Sequence, residues 1–269
     1  MKPQTDAGTQ LQRTEAEILR LNSELEAARQ NLETFNYSVS HDLRAPLRHI
    51  VGYVDILQNA AGQTLNETSR RHLQIIAQSA AQMEQMLEAL LEFSRMGRAE
   101  MRLAPVRLGA LVKDAQRELR AENKGREITW QIGDLPEVWG DSAMLRQAIV
   151  NLLSNAAKFT RPCPQAKIEI GAQHGGAETI LFVRDNGVGF DMAAAAKMFG
   201  AFQRFHPANE FEGTGIGLAT VRRILQRHGG RTWAEGKVDG GATFYVALPN
   251  PAEVAARVES KGKYAAREG

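Results

Sequence analysis

Residues 11 to 39 place apolar side chains seven apart, at Leu11, Ile18, Leu25, Leu32 and Val39. Thr14, Leu21, Ala28 and Phe35 fill the companion positions, and Glu, Arg, Gln and Asn dominate between them. So narrow a seam suits a partner helix, and the pattern predicts a self-associating coiled coil. One amphipathic helix packed on its own domain is the plainer alternative. The rhythm then changes. Phe35, Val39, Leu43 and Leu47 follow at steps of four, and Ile50, Val54 and Leu57 resume steps of three and four. Consecutive fours form a stutter, which locally unwinds a left-handed supercoil. Pro46 lies in the same stretch; it cannot donate to the Asp42 carbonyl and its ring crowds that group, so a kink is expected. These irregularities flank His41, whose phase puts it off the seam and toward solvent.

The pattern breaks at Ala60-Ala61-Gly62-Gln63, and a second helix is expected from Asn66 to Met96. Its apolar row runs Leu73, Ile76, Ala80, Met83, Leu87 and Leu90. The result is a helical hairpin, and two such hairpins make a four-helix bundle. Beyond it, helical and strand patterns alternate. Helices are expected over 108–121, 142–159 and 218–228, and strands over 127–132, 137–139, 167–172, 179–184, 231–235 and 242–248. That order gives two layers, helices on an antiparallel or mixed sheet. The boundaries expected are a coil over 1–34, a hairpin over 35–97, a linker over 98–105, an α/β domain over 106–250 and a loose tail over 251–269.

Composition narrows the classes. Lys and Arg number 33 against 31 Asp and Glu, a net charge of +2 that argues against a protein coating nucleic acid. Hydrophobic residues make up 43%, enough for a packed core. The single cysteine, Cys163, excludes an intrachain disulfide framework and any multi-cysteine metal site. No apolar run reaches the roughly 18 residues of a membrane span, and the N-terminus lacks an apolar signal core. The expectation is a soluble, cytoplasmic chain.

Three segments carry candidate chemistry. Asp185-Asn186-Gly187-Val188-Gly189-Phe190 follows a strand. Its carboxylate can accept from an exocyclic amine while glycine backbone passes close to a ring, though an Asp-capped glycine turn looks the same. Gly213-Thr214-Gly215-Ile216-Gly217-Leu218 opens a helix, where free N–H groups and the helix dipole favour phosphate. Asn151, Asn155 and Lys158 share one helical face. Amide oxygens there can help hold Mg²⁺ and the lysine can meet phosphates, although a solvated polar face has the same pattern.

Together these segments resemble the histidine kinases of two-component signalling, in that family's order from Phe35 to Pro249. Phe35-Asn-Tyr-Ser-Val-Ser-His41-Asp-Leu-Arg-Ala-Pro-Leu-Arg48 looks like the phosphoacceptor box, and Asn151 to Phe159 like the asparagine box. The two glycine segments look like the glycine boxes. Phe199, Phe202 and Arg204 look like the phenylalanine box. The soluble, phytochrome-like or PAS-linked branch is the nearest in character.

The resemblance implies a two-layer α/β sandwich of the Bergerat type behind a dimeric four-helix bundle. It implies that His41 takes the γ-phosphoryl group of ATP, with Asp42 as base, and passes it to a response-regulator receiver domain. Asp185 would bind the adenine amino group in a pocket shaped by Gly187 and Gly189 and lined by Phe159. Asn151 would ligate Mg²⁺, Asn155 would support the phosphate side, and Lys158 and Arg204 would face the phosphates. Gly213, Gly215 and Gly217 would hinge a lid formed by 206–212 and supply backbone donors, and Leu218 would join the ATP-binding residues. A homodimer and, in a full-length relative, an upstream sensor domain are expected. Many relatives carry Thr or Asn four residues after the histidine; Ala45 stands here, so phosphatase activity is expected to be weak. Three other readings compete: an ATPase clamp on the same nucleotide fold, a pseudokinase scaffold and a plain coiled-coil adaptor. The His41-Asp42 hairpin argues against the first, the intact motifs against the second, and everything after residue 39 against the third.

Overall fold

In the computed structural model the described residues are 4–61, 64–97, 100–123, 125–207 and 210–250. The chain divides into two compact units, Met1–Arg98 and Ala99–Gly269. The tail 251–269, Gly62 and Gln63 of the expected break, and the side chains of Leu11, Leu32 and Phe35 lie outside what is described.

The first unit is a helical hairpin. Helix α1 runs from Gln4 to Ala61 as one helix that includes Pro46, so coil and first hairpin arm are continuous. Helix α2 spans Glu67–Met96 and starts on Asn66, whose side chain accepts from the Ser69 N–H at 2.8 Å. That bond satisfies one of the donors a helix start leaves open. Leu47 and Val54 of α1 and Ala80, Leu91 and Met96 of α2 are buried. Leu43, Ile50, Tyr53, Ile56, Ile76 and Met83 are exposed. An isolated two-helix hairpin cannot cover both of its apolar faces.

The second unit has two layers. Its sheet has the strand order β2-β4-β5-β7-β6, formed by Ile128–Ile132, Ala166–Gly175, Glu178–Asp185, Ala242–Pro249 and Arg231–Gly236. β2 pairs parallel with β4 and the other neighbours are antiparallel, which makes the sheet mixed. A separate ribbon joins β1 (Leu103–Arg107) to β3 (Glu137–Asp141). β1 therefore takes Leu103, Ala104 and Pro105 from the segment expected to be a linker. Helices α3 (Leu108–Glu122), α4 (Ser142–Phe159) and α5 (Gly217–Arg227) lie side by side, with α4 in the middle and packed on β5. Leu152, Leu153, Ile168, Ile170, Leu181 and Ile224 are fully buried between the layers. A short 3₁₀ helix over Met192–Lys197 has no counterpart among the expected elements.

Candidate active site

Strand alternation places the central carboxylate. Along β5, Thr179, Leu181, Val183 and Asp185 are buried while their neighbours are less so. Period-two geometry turns all four toward the helices, so the strand ends with a carboxylate aimed into the inter-layer space. Oδ1 of Asp185 accepts from the Gly187 N–H at 2.9 Å. Oδ2 is buried and has no hydrogen-bond partner among the described residues. Burial pushes the Asp185 carboxyl up to about 6, against the opposing pull of the Gly187 and Ala242 N–H groups. A buried acceptor without a donor is costly, and an amine-bearing ligand would relieve it.

The turn after Asp185 leaves no room for side chains. A Cβ on Gly187 would come within 2.5 Å of the Phe159 carbonyl oxygen. Gly189 has φ of 60°, and a Cβ there would come within 1.9 Å of the Lys237 carbonyl oxygen. Asn186 ties the same turn to β4: its Oδ1 accepts from Lys167 N–H at 2.7 Å and its Nδ2 donates to Gln165 O at 2.8 Å.

Helix α4 turns its apolar side inward and carries Asn151, Asn155 and Lys158 along its flank. Asn151 Nδ2 donates to the Gly217 carbonyl at 3.3 Å, which joins α4 to the start of α5. The Lys158 ammonium lies 4.3 Å from the centre of the Phe159 ring. Desolvation lowers its pKa, and the Glu212 carboxylate partly restores it. Arg204 Nη2 donates to Phe211 O at 2.7 Å.

These elements enclose a cavity of about 280 Å³. Asn155, Lys158, Phe159, Asp185, Gly189, Arg204, Gly213, Gly215, Gly217 and Leu218 all line it. Asn151 and Gly187 do not; each reaches it through a neighbour, Gly217 and Asp185 respectively. One end is polar, with Lys158, Arg204 and the glycine segment. The other is apolar around Asp185, where Phe190, Met198 and Phe244 join the lining. Of the expected phenylalanine box, Phe199 is buried with its ring centre 6.5 Å from that of Phe244, whereas Phe202 is exposed. His206 and Phe211, which the sequence places only in the lid segment 206–212, both line the cavity, 5.1 Å from the Phe159 ring, and His206 Nε2 lies 3.1 Å from Gly189 O. They belong to an irregular segment, so no period marked them.

In the helical unit, His41 and Asp42 are adjacent and exposed, with Nδ1 3.3 Å from Asp42 Oδ1. That contact favours the tautomer with its proton on Nδ1, which leaves the Nε2 lone pair toward solvent. Among the described residues no group of three or more His, Cys, Asp or Glu could hold a metal ion. A divalent ion at the cavity could rest on amide oxygens together with the ligand's own oxygens. The amides of Asn151 and Asn155 are hard oxygen donors that suit Mg²⁺ on those terms. Among the described residues no helix is long and apolar enough to cross a membrane.

Two family models match the chain. Residues 31–99 match the His Kinase A (phospho-acceptor) domain, and residues 140–252 match the histidine kinase-, DNA gyrase B-, and HSP90-like ATPase family. The methanogenesis regulatory histidine kinase FilI of Methanothrix harundinacea is 35% identical over 89% of this chain and 28% of its own length. The adaptive-response sensory kinase SasA of a Synechococcus species is 30% identical over 92% of this chain and 67% of its own. Full-length ShkA, solved in complex with AMPPNP, superposes with a TM-score of 0.57 and 30% identity, covering 80% of this chain and 45% of that one. The chain thus spans under a third of FilI and under half of ShkA. It belongs to the sensor histidine kinases of two-component signalling.

Proposed function

We propose that this chain phosphorylates itself on His41 from ATP and hands the phosphoryl group to an aspartate of a response-regulator receiver domain. The observation that carries the reading is the buried, half-satisfied carboxylate of Asp185 at the apolar end of a cavity whose other end is cationic. Oδ2 lacks the donor that an adenine amino group supplies, and Lys158 and Arg204 stand where phosphates need charge. Asn155, Phe159, Gly189, Gly213, Gly215, Gly217 and Leu218 complete the enclosure, while Gly187 shapes it from behind. Asn151 would help hold Mg²⁺, which would supply neutralisation of the charge that develops on the phosphates. That ShkA is solved with AMPPNP supports a nucleotide in the equivalent fold.

The acceptor step follows from the His41–Asp42 contact. Nε2 attacks the γ-phosphorus, the bond to the β,γ-bridging oxygen breaks, and ADP leaves. The proton on Nδ1 passes to Asp42, so the imidazole does not carry a charge into the product. Most of the rate comes from positioning and charge, as phosphoryl transfer requires.

The exposed apolar residues of the hairpin support a homodimeric four-helix bundle, with residues 1–34 as the coil that brings in a signal from an upstream sensor domain. On this reading 35–97 is the phosphotransfer hairpin, the catalytic domain runs to residue 250 and includes β1 from Leu103, and the protein works in the cytoplasm, where ATP is available. Ala45 carries no hydrogen-bonding group to orient water, so phosphatase activity is weak. The test is to incubate the full chain with Mg²⁺ and γ-labelled ATP and then add receiver domains. Acid-labile, base-stable label that moves to a receiver aspartate is expected. Label that stays on the chain would remove the transfer step, and hydrolysis of ATP without label would favour an ATPase instead.

A further inference from the structure

The cationic end of the cavity holds an ion pair that no motif accounts for. Arg161, just beyond α4, donates through Nη1 and Nη2 to the two carboxylate oxygens of Glu212. Glu212 lines the cavity beside Lys158, and Arg161 stands behind it, outside the lining. The next residue, Gly213, lies so close to Lys158 that a Cβ there would stand 3.3 Å from Nζ. A fixed negative charge therefore sits next to the cation that would meet phosphates.

Glu212 has a use there and a cost. Lys158 loses hydration where it lies, and the Glu212 field helps keep it protonated. The same carboxylate would repel a polyphosphate. The fork of Arg161 engages both of its oxygens and offsets its charge. That pairing also holds the Glu212 carboxyl well below its ordinary range, at about 2.

We propose that Arg161 is a positioning residue that masks the Glu212 carboxylate from a nucleotide's phosphates while leaving Glu212 in place to support Lys158. The proposal rests on the nucleotide reading of the cavity. It is not a claim about stability. Both side chains are substantially exposed, and exposed ion pairs contribute little to folding. A charge effect has its own signature: it touches ligands that carry phosphate and spares those that do not.

The experiment is calorimetric titration of the full chain with Mg²⁺-ADP, and with adenosine by displacement of ADP. The proteins are the parent, Arg161→Ala, Glu212→Gln and the double variant, with thermal melts to establish that each folds. Arg161→Ala should weaken ADP roughly tenfold, the scale of one charge acting across water-screened surface, and change adenosine less than about twofold. The double variant should return to within about threefold of the parent, because the charge that needed masking is gone. Equal losses for ADP and adenosine would make the pair a structural clamp and overturn the proposal. So would a double variant as weak as Arg161→Ala alone. A parent chain that binds neither ligand would instead overturn the nucleotide reading and this inference with it.

Discussion

His41 and Asp42 stand on a helix with 69% and 74% of their side-chain surface in water, whereas Asp185 closes a β-strand with 4% of its surface exposed. The same contrast runs through the apolar residues. The hairpin leaves Ile50, Tyr53, Ile56 and Ile76 uncovered, while the α/β unit buries Leu152, Leu153, Ile168, Ile170, Leu181 and Ile224 between two layers. On the proposed reaction, a histidine reached in turn by a kinase domain and a receiver domain has to stand clear of its own fold. A carboxylate that must recognise one amine gains from dryness, because each hydrogen bond counts for more where water cannot compete. The two units thus use opposite environments for two parts of one proposed reaction.

The largest test of this contrast acts on the exposed side. Asp42→Asn keeps the shape but removes the proton acceptor, and labelling of His41 should slow by about 100-fold or more, in line with general-base contributions. ATP affinity measured by calorimetry should not change. On the buried side, Asp185→Asn faces an amine donor with a mixed donor–acceptor group. Nucleotide affinity should fall by about 10- to 100-fold, the value of one charge-assisted hydrogen bond, while the melting temperature of the free chain holds or rises.

Acidification sharpens the comparison further. The Asp185 carboxyl in the free fold takes its proton at about 6. A bound amine favours the ionised form, so affinity is full above pH 6 and falls by roughly tenfold per unit as pH drops below it. Stability of the free chain moves the other way. The folded pKa lies above the ordinary carboxyl value, so this group's contribution is complete below about pH 4 and is lost as pH rises through 6, about 3 kcal/mol in all. Calorimetric titrations and melts at pH 5, 6 and 7 separate the two slopes. The smallest effect is expected at Ala45. Ala45→Thr should raise dephosphorylation of a phosphorylated receiver only a few-fold, because a hydroxyl that orients water is one part of that step. An unchanged or lower rate would remove Ala45 as the ground for proposing weak phosphatase activity.

Much of this was legible in the sequence where the controlling signal is local. The alternation over 179–184 and the polar flank of α4 are periodic, and they deliver Asp185, Asn155 and Lys158 to one place. Asp141 immediately precedes the helix expected over 142–159 and caps it, accepting from the Ala143 and Met144 N–H groups. What was not legible depends on distant partners. β1 exists because Leu103–Arg107 pairs with Glu137–Asp141, and nothing within the five residues LAPVR announces that register. β7 lies between β5 and β6, an order that hydrophobic period does not encode. The pairing of Arg161 with Glu212 bridges 51 positions, and His206 and Phe211 reach the cavity from a segment without regular structure.

The most direct measurement compares the parent chain with His41→Ala, each incubated with Mg²⁺ and γ-labelled ATP and each titrated with nucleotide. The account predicts acid-labile label on the parent, none on the variant, and the same nucleotide affinity in both. Label that persists in the variant, or that is lost together with nucleotide binding, would contradict it.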